Sequence, residues 1–104
     1  MSAYAHPIDA LGDPTRRRVF ELLRTGPSAV GALAERLPVS RPAVSQHLRV
    51  LEDAGLVTCR RDGTRRLYAV DPAGLGALRA WVDGFWDEAL ARYKDVAERE
   101  GRRP

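Results

Sequence analysis

Residues 41–49, RPAVSQHLR, carry two arginines, a glutamine and a serine suited to forked hydrogen bonding with flat polar edges and anionic oxygens. Arg41 and Arg49 can each present parallel N–H donors to a guanine edge or a phosphate. Gln46 can donate and accept at once against an adenine edge, and Ser45 can do either. A second group, Arg60, Arg61, Arg65 and Arg66, surrounds Asp62-Gly63-Thr64. Four guanidinium groups on a glycine turn can meet a sugar-phosphate backbone or enter a minor groove. A third run, Arg16-Arg17-Arg18, is expected to lose at least one member to internal pairing, and Arg16 is assigned a phosphate contact.

Such groups act together only if rigid elements aim them. Asp13-Pro14 predicts a helix cap with proline at the first helical position, and Val19, Phe20, Leu22 and Leu23 give the stripe that Thr25-Gly26-Pro27 closes. Ser28 predicts the cap of a second helix of about nine residues, with Val30, Leu33 and Leu37 at helical spacing before Pro38. Ser40 predicts the cap of a third helix, Pro42 falls in its first turn where a missing N–H removes no bond, and both are assigned to the same candidate contact face as Arg41, Ser45, Gln46 and Arg49. Gly55 is its left-handed stop. Residues 8–11 allow a brief extra helix ahead of these.

At about 100° per residue, Val44, Leu48 and Leu51 fall within about 60° of one another on the third helix. Arg41, Pro42, Ser45, Gln46 and Arg49 take the opposite side, where an idle surface would favour Glu and Lys. Two stretches of β character, Leu56 to Arg61 and Arg65 to Val70, are joined through Asp-Gly, a strong hairpin signal. Asp71-Pro72 then caps a long last helix in which Leu75, Leu78, Val82, Phe85, Ala89, Tyr93 and Val96 recur every three or four residues. The expected order is αααα-ββ-α, mainly helical with a small β-hairpin, which is a winged helix-turn-helix.

With 104 residues, 44% of them hydrophobic, the chain supports one core, read as a single domain over residues 1–99 with 72–99 as its last helix and 100–104 as a polar tail. No apolar run approaches the roughly 20 residues that cross a bilayer. The opening MSAYAHPID lacks the charged and apolar regions of a signal peptide, so a cytoplasmic location is expected. A single cysteine, Cys59, has no thiol partner and fits a reducing compartment. The net charge of +3 is uneven: residues 39–70 hold six arginines against three acids, and residues 71–104 six basic against seven acidic side chains. No serine or cysteine has a base at readable spacing, no phosphate loop follows a strand, and Asp83 with Asp87 reads as an exposed helical pair, so no enzyme is expected.

The runs ALGDPTRRRVFELL and VGALAERLPVSRPAVSQHLRVLEDAGLVTCRRDGTRRLYAV resemble the ArsR-type winged-helix repressors across residues 8–71. The resemblance implies a homodimer on an imperfect inverted repeat of double-stranded DNA, repressing its own operon, with the terminal helices in the dimer contact. The metal-sensing members carry a Cys-x-Cys-type motif before the turn or His and Asp ligands in the last helix. Here the first of these places reads VGALAER and the last helix has no His, so neither a metal nor a cofactor is expected, and any effector is an unidentified small molecule or protein. His47 is read as a packed histidine with a local hydrogen bond, and His6 as the one other imidazole. A winged helix that binds protein instead of DNA is the alternative.

The last helix has more apolar surface than one small domain can cover. Leu78, Trp81, Val82, Phe85, Trp86, Ala89, Leu90 and Tyr93, with Ile8 and Leu11 from the N-terminal segment, are assigned to a contact between two copies. Gly74, Gly76 and Gly84 weaken this helix and suggest close backbone approach or a loose start.

Overall fold

The computed structural model describes residues 6–101; residues 1–5 and 102–104, including most of the expected polar tail, lie outside them. The N-terminal segment is a 3-10 helix over Pro7–Gly12, in which His6 Nδ1 accepts the Ile8 N–H at 3.1 Å and the Asp9 carboxylate accepts the His6 N–H at 3.1 Å. Helix α1, Pro14–Leu22, begins where the Asp13 carboxylate accepts the Arg16 N–H at 2.9 Å. It tightens into a 3-10 turn, Leu23–Thr25, and stops at Gly26 with φ +136°.

Helix α2 spans only Val30–Ala34, and its cap is Ala29 with no side-chain bond. This corrects the nine-residue helix capped by Ser28. Ser28 exchanges two backbone bonds of 2.9 Å with Tyr68 and so adds a one-residue third strand to the hairpin. Those bonds hold Ser28 in the sheet, one residue too early to cap.

Helix α3 runs Arg41–Asp53. Its end is a Schellman closure: the Leu56 N–H bonds to the Leu51 carbonyl at 2.9 Å, the Gly55 N–H to that of Glu52 at 3.0 Å, and Gly55 sits at φ +82°. Leu51 and Leu56, which this motif brings together, are both fully buried. The chain therefore leaves α3 directly into β1, Val57–Asp62, which pairs antiparallel with β2, Arg65–Val70. The first strand starts one residue later than expected because Leu56 belongs to the helix closure. Since Asp62 pairs with Arg65, the turn is Gly63-Thr64, with Gly63 at φ +66° in the first central position as a type II′ turn requires.

Helix α4 spans Pro72–Gly101, so Glu100, expected in the tail, is helical. Its start is pinned: the Asp71 side chain caps the Ala73 N–H at 3.0 Å and the Asp71 N–H bonds to the Leu56 carbonyl at 2.8 Å. Gly74 lies so close to the α3–β1 turn that a Cβ there would sit 2.1 Å from the Gly55 oxygen. The expected close approach is thus real at Gly74, whereas Gly76 and Gly84 face open space.

One core joins these elements: Ala10, Val19, Leu22, Leu23, Leu33, Val44, Leu48, Leu51, Ala54, Leu56 and Val57. Leu11 and Leu78 pack against it, but α4 leaves it soon after. The molecule measures 72 × 29 × 24 Å, with a radius of gyration of 19.0 Å against roughly 13 Å for a compact chain of about this length. The difference is α4, about 45 Å long at 1.5 Å per residue.

Candidate nucleic-acid interface

Helix α3 separates core from solvent along the lines its spacing implies. Val44, Leu48 and Leu51 are fully buried, while Ser45, Gln46 and Arg49 share an exposed outer face with Pro42. Ser40 is exposed, and its Oγ accepts the Ala43 N–H at 3.3 Å, leaving the hydroxyl proton free to donate. Arg41 is exposed but leans over α2: a Cβ on Gly31 would meet its guanidinium at 2.6 Å. Gly31 therefore lets the two helices of the turn share one cationic edge.

The hairpin projects beside this helix. Successive residues of a strand face opposite sides, so Arg61 and Arg66, directly paired, share one face with Cys59 and Tyr68, while Arg60 and Arg65 share the other. Arg65 leans on Asp62 at 3.8 Å, an exposed pair of little energetic weight. Two arginines paired across strands repel each other. Arg61 opposite Arg66 therefore weakens the isolated wing, and an anionic partner relieves that cost. Towards its root the hairpin is half-buried, and burial pushes the Tyr68 phenol up, with Cys59 across the strands adding to the shift.

Arg16 is not available as expected. Its Nε donates to the Ala10 carbonyl, tying α1 to the N-terminal 3-10 helix, and it is half-buried. The helix start at Asp13 turns this side chain back towards that carbonyl, so the internal member of the arginine run is Arg16. Arg18 contacts Glu21 at 3.7 Å, and exposed Arg17 is the cation that spacing alone did not single out. His47 also departs from its reading: Nδ1 is buried with no hydrogen-bond partner among the described residues, where a local bond was expected. Its ring lies near Asp13, whose carboxyl is held below the usual range first by the Arg16 N–H and also by the imidazole's charge. No cluster of three or more His, Cys, Asp or Glu side chains suited to a metal occurs among the described residues.

The face assigned to a second copy lies on α4. Trp81, Val82, Phe85, Trp86, Leu90 and Tyr93 are exposed, Tyr93 to 76%, and Ala89 is exposed with them. Ile8, Leu11 and Leu78 are half-buried, the last two against their own core. At about 100° per residue the apolar positions from Leu75 to Val96 cover about 180° of the helix, wider than the roughly 100° a core-facing stripe needs. Trp81 and Phe85 stack edge to face with centroids 4.8 Å apart. Beyond Leu78, none of this surface packs on the chain's own core.

A three-helix core, a helix-turn-helix with an outward polar face and a basic hairpin after it define a winged helix-turn-helix DNA-binding domain. Residues 11–60 match a helix-turn-helix domain family. The chain is 55% identical over 104 residues to the HTH-type transcriptional regulator Rv2034 of Mycobacterium tuberculosis, covering 97% of each chain. It is 33% identical to the transcriptional repressor SdpR of Bacillus subtilis, over 73% of this chain and 84% of that one. Among solved structures, a possible transcriptional regulator for arsenical resistance superposes with TM-score 0.73 at 47% identity, covering 86% of this chain and 97% of that one. The homodimeric winged helix-turn-helix DNA-binding domain of a possible ArsR-family regulator from Mycobacterium bovis does so with TM-score 0.64 at 33% identity, over 81% and 78%. This chain belongs to the ArsR-type winged helix-turn-helix transcriptional regulators.

Proposed function

We propose that this chain is a cytoplasmic, non-enzymatic repressor that binds an imperfect inverted repeat in double-stranded DNA as a homodimer and represses its own operon. The observation that carries the reading is the outer face of α3, where Ser45, Gln46 and Arg49 stand exposed beside a hairpin bearing four exposed arginines. A major groove admits one helix presenting such a face, and the hairpin then falls on the flanking backbone. Two copies joined through α4 present two such helices, and half-sites about 34 Å apart match that symmetry. Arg17, Arg41 and Ser40 serve phosphates, Gln46 and Arg49 the bases, and Arg60, Arg61, Arg65 and Arg66 the backbone.

The test is selection of bound fragments from the source genome, followed by titration of the recovered duplex at several salt concentrations. Phosphate contacts release counterions, so affinity should fall linearly on a log-log plot as salt rises. The recovered fragments should contain an inverted repeat upstream of this chain's own gene. Absence of salt-dependent binding to any duplex would favour a winged helix that docks on protein.

A further inference from the structure

Two grooves meet along the end of α1. The larger, about 660 Å³, is walled by Phe20, Leu23, Pro27, Val70, Pro72 and Leu75. That volume falls in the range of about 300–1,000 Å³ usual for small-molecule sites, which are likewise mostly apolar with a few placed polar groups. The smaller, about 300 Å³, is bordered by Arg18, Arg24 and Arg36, with Glu21 as its one acid. Glu21 and Arg24 border both grooves, so the apolar trough opens beside a cationic rim. Glu21 is engaged by Arg18, whereas Arg24 and Arg36 form no ion pair among the described residues. Of these side chains Leu75 alone also begins the exposed apolar stripe of α4, and none belongs to the outer face of α3 or the arginines of the hairpin.

We infer that the paired grooves form a binding site for an amphipathic organic anion, an aliphatic carboxylate with its chain in the trough and its head on Arg24. A neutral hydrocarbon would leave the rim unused, and an inorganic anion would leave the trough empty. The apolar lining supplies area-proportional affinity, and the guanidinium supplies a charge-assisted bond that selects the sign of the head group. The walls come from the end of α1, the last residues of β2 and the first turn of α4, so an occupant touches the root of the wing and the base of the long helix together. Resting on the DNA-binding reading, its occupancy is linked to operator affinity, and the linkage is reciprocal.

Calorimetric titration of the full chain with decanoate, kept below its micellar concentration, tests the site without DNA. One saturable site per protomer is expected, with decylamine bound far more weakly. Arg24→Gln should lower decanoate affinity about tenfold, the loss of one charge-assisted bond. Leu75→Asp should abolish binding while sedimentation shows the same oligomer as the parent chain. Arg24 is exposed, so its substitution tests the site even if Leu75→Asp fails to fold. No saturable binding, equal affinity in Arg24→Gln, or binding lost only on Trp86→Ala would overturn the site. Dissociation of the dimer by Leu75→Asp would overturn it too, by showing that the second copy fills the trough. Operator affinity with and without decanoate is read separately: a shift supports the linkage, and no shift overturns the linkage while the calorimetric result stands. A chain that binds no duplex at all would fail the DNA-binding reading and leave the titration intact.

Discussion

Gln46 and Arg61 stand for two kinds of polar contact that a single affinity measurement would confuse. Gln46 projects from the exposed face of a capped helix, with no hydrogen bond to its own chain among those described, so its amide is free for a base edge. Arg61 lies opposite Arg66 on a strand, where charge matters more than shape. Gln46→Ala and Arg49→Ala should therefore each reduce discrimination between operator and scrambled duplex by about 1–3 kcal/mol. Arg61→Ala and Arg66→Ala should weaken both duplexes alike and flatten the salt slope by about one phosphate each. Equal losses on both duplexes for Gln46→Ala would place that side chain away from the bases. The exposed face of α3 was legible because helical spacing alone separates it from Val44, Leu48 and Leu51. Arg16 was not legible among three consecutive arginines, because only the turn set by Asp13 decides which one meets the Ala10 carbonyl.

Elements here are held by their ends, and the end contacts differ in how they respond to substitution and to pH. Gly74 meets backbone that cannot swing aside, so Gly74→Ala should destabilise the fold by about 1–3 kcal/mol in urea titration, the usual cost of overpacking. Gly76→Ala, on the same helix but in open space, should stabilise it by up to about 1 kcal/mol. Two glycines that look alike in sequence thus predict opposite signs, and matching signs would contradict the docking of α4 on the α3–β1 turn. At the start of α1, the Arg16 N–H holds the Asp13 carboxyl below its ordinary range, with His47 adding to this. A depressed folded-state value means that the stabilisation is present above the usual carboxylate range and is lost as pH falls through the lower, folded value. Asp13→Asn, which retains the cap but not the titration, should flatten the acid side of the melting-temperature profile, while Asp13→Ala should lower the whole profile. Caps and stops of this kind could be read from Asp13-Pro14, Ser40 and Gly55, since each acts on its own neighbours. The third strand at Ser28 could not, because its partner Tyr68 lies 40 residues further along the chain.

At the scale of the whole molecule, the long axis of 72 Å and the unburied face of α4 have a single physical cause. The apolar stripe that begins on the chain's own core at Leu78 continues through Phe85, Trp86, Leu90 and Tyr93 after that core has ended. Exposed aromatic surface on that scale favours association, and a second identical copy provides an identical stripe, so an isologous pair buries both at once. The excess was visible in the sequence, but its division was not: Leu11 and Leu78, assigned to the contact between copies, are partly occupied within one chain. Folding and association are then linked by mass action, and the melting temperature should rise with protein concentration. Phe85→Glu and Trp86→Glu should lower that temperature, remove its concentration dependence and shift sedimentation at micromolar concentration from dimer to monomer. Affinity for the full inverted repeat should fall with them, because one protomer reaches one half-site, while contact with an isolated half-site should persist through the unaltered α3 and hairpin. A well-folded monomer of either variant that held the full repeat as tightly as the parent chain would place the pairing surface elsewhere.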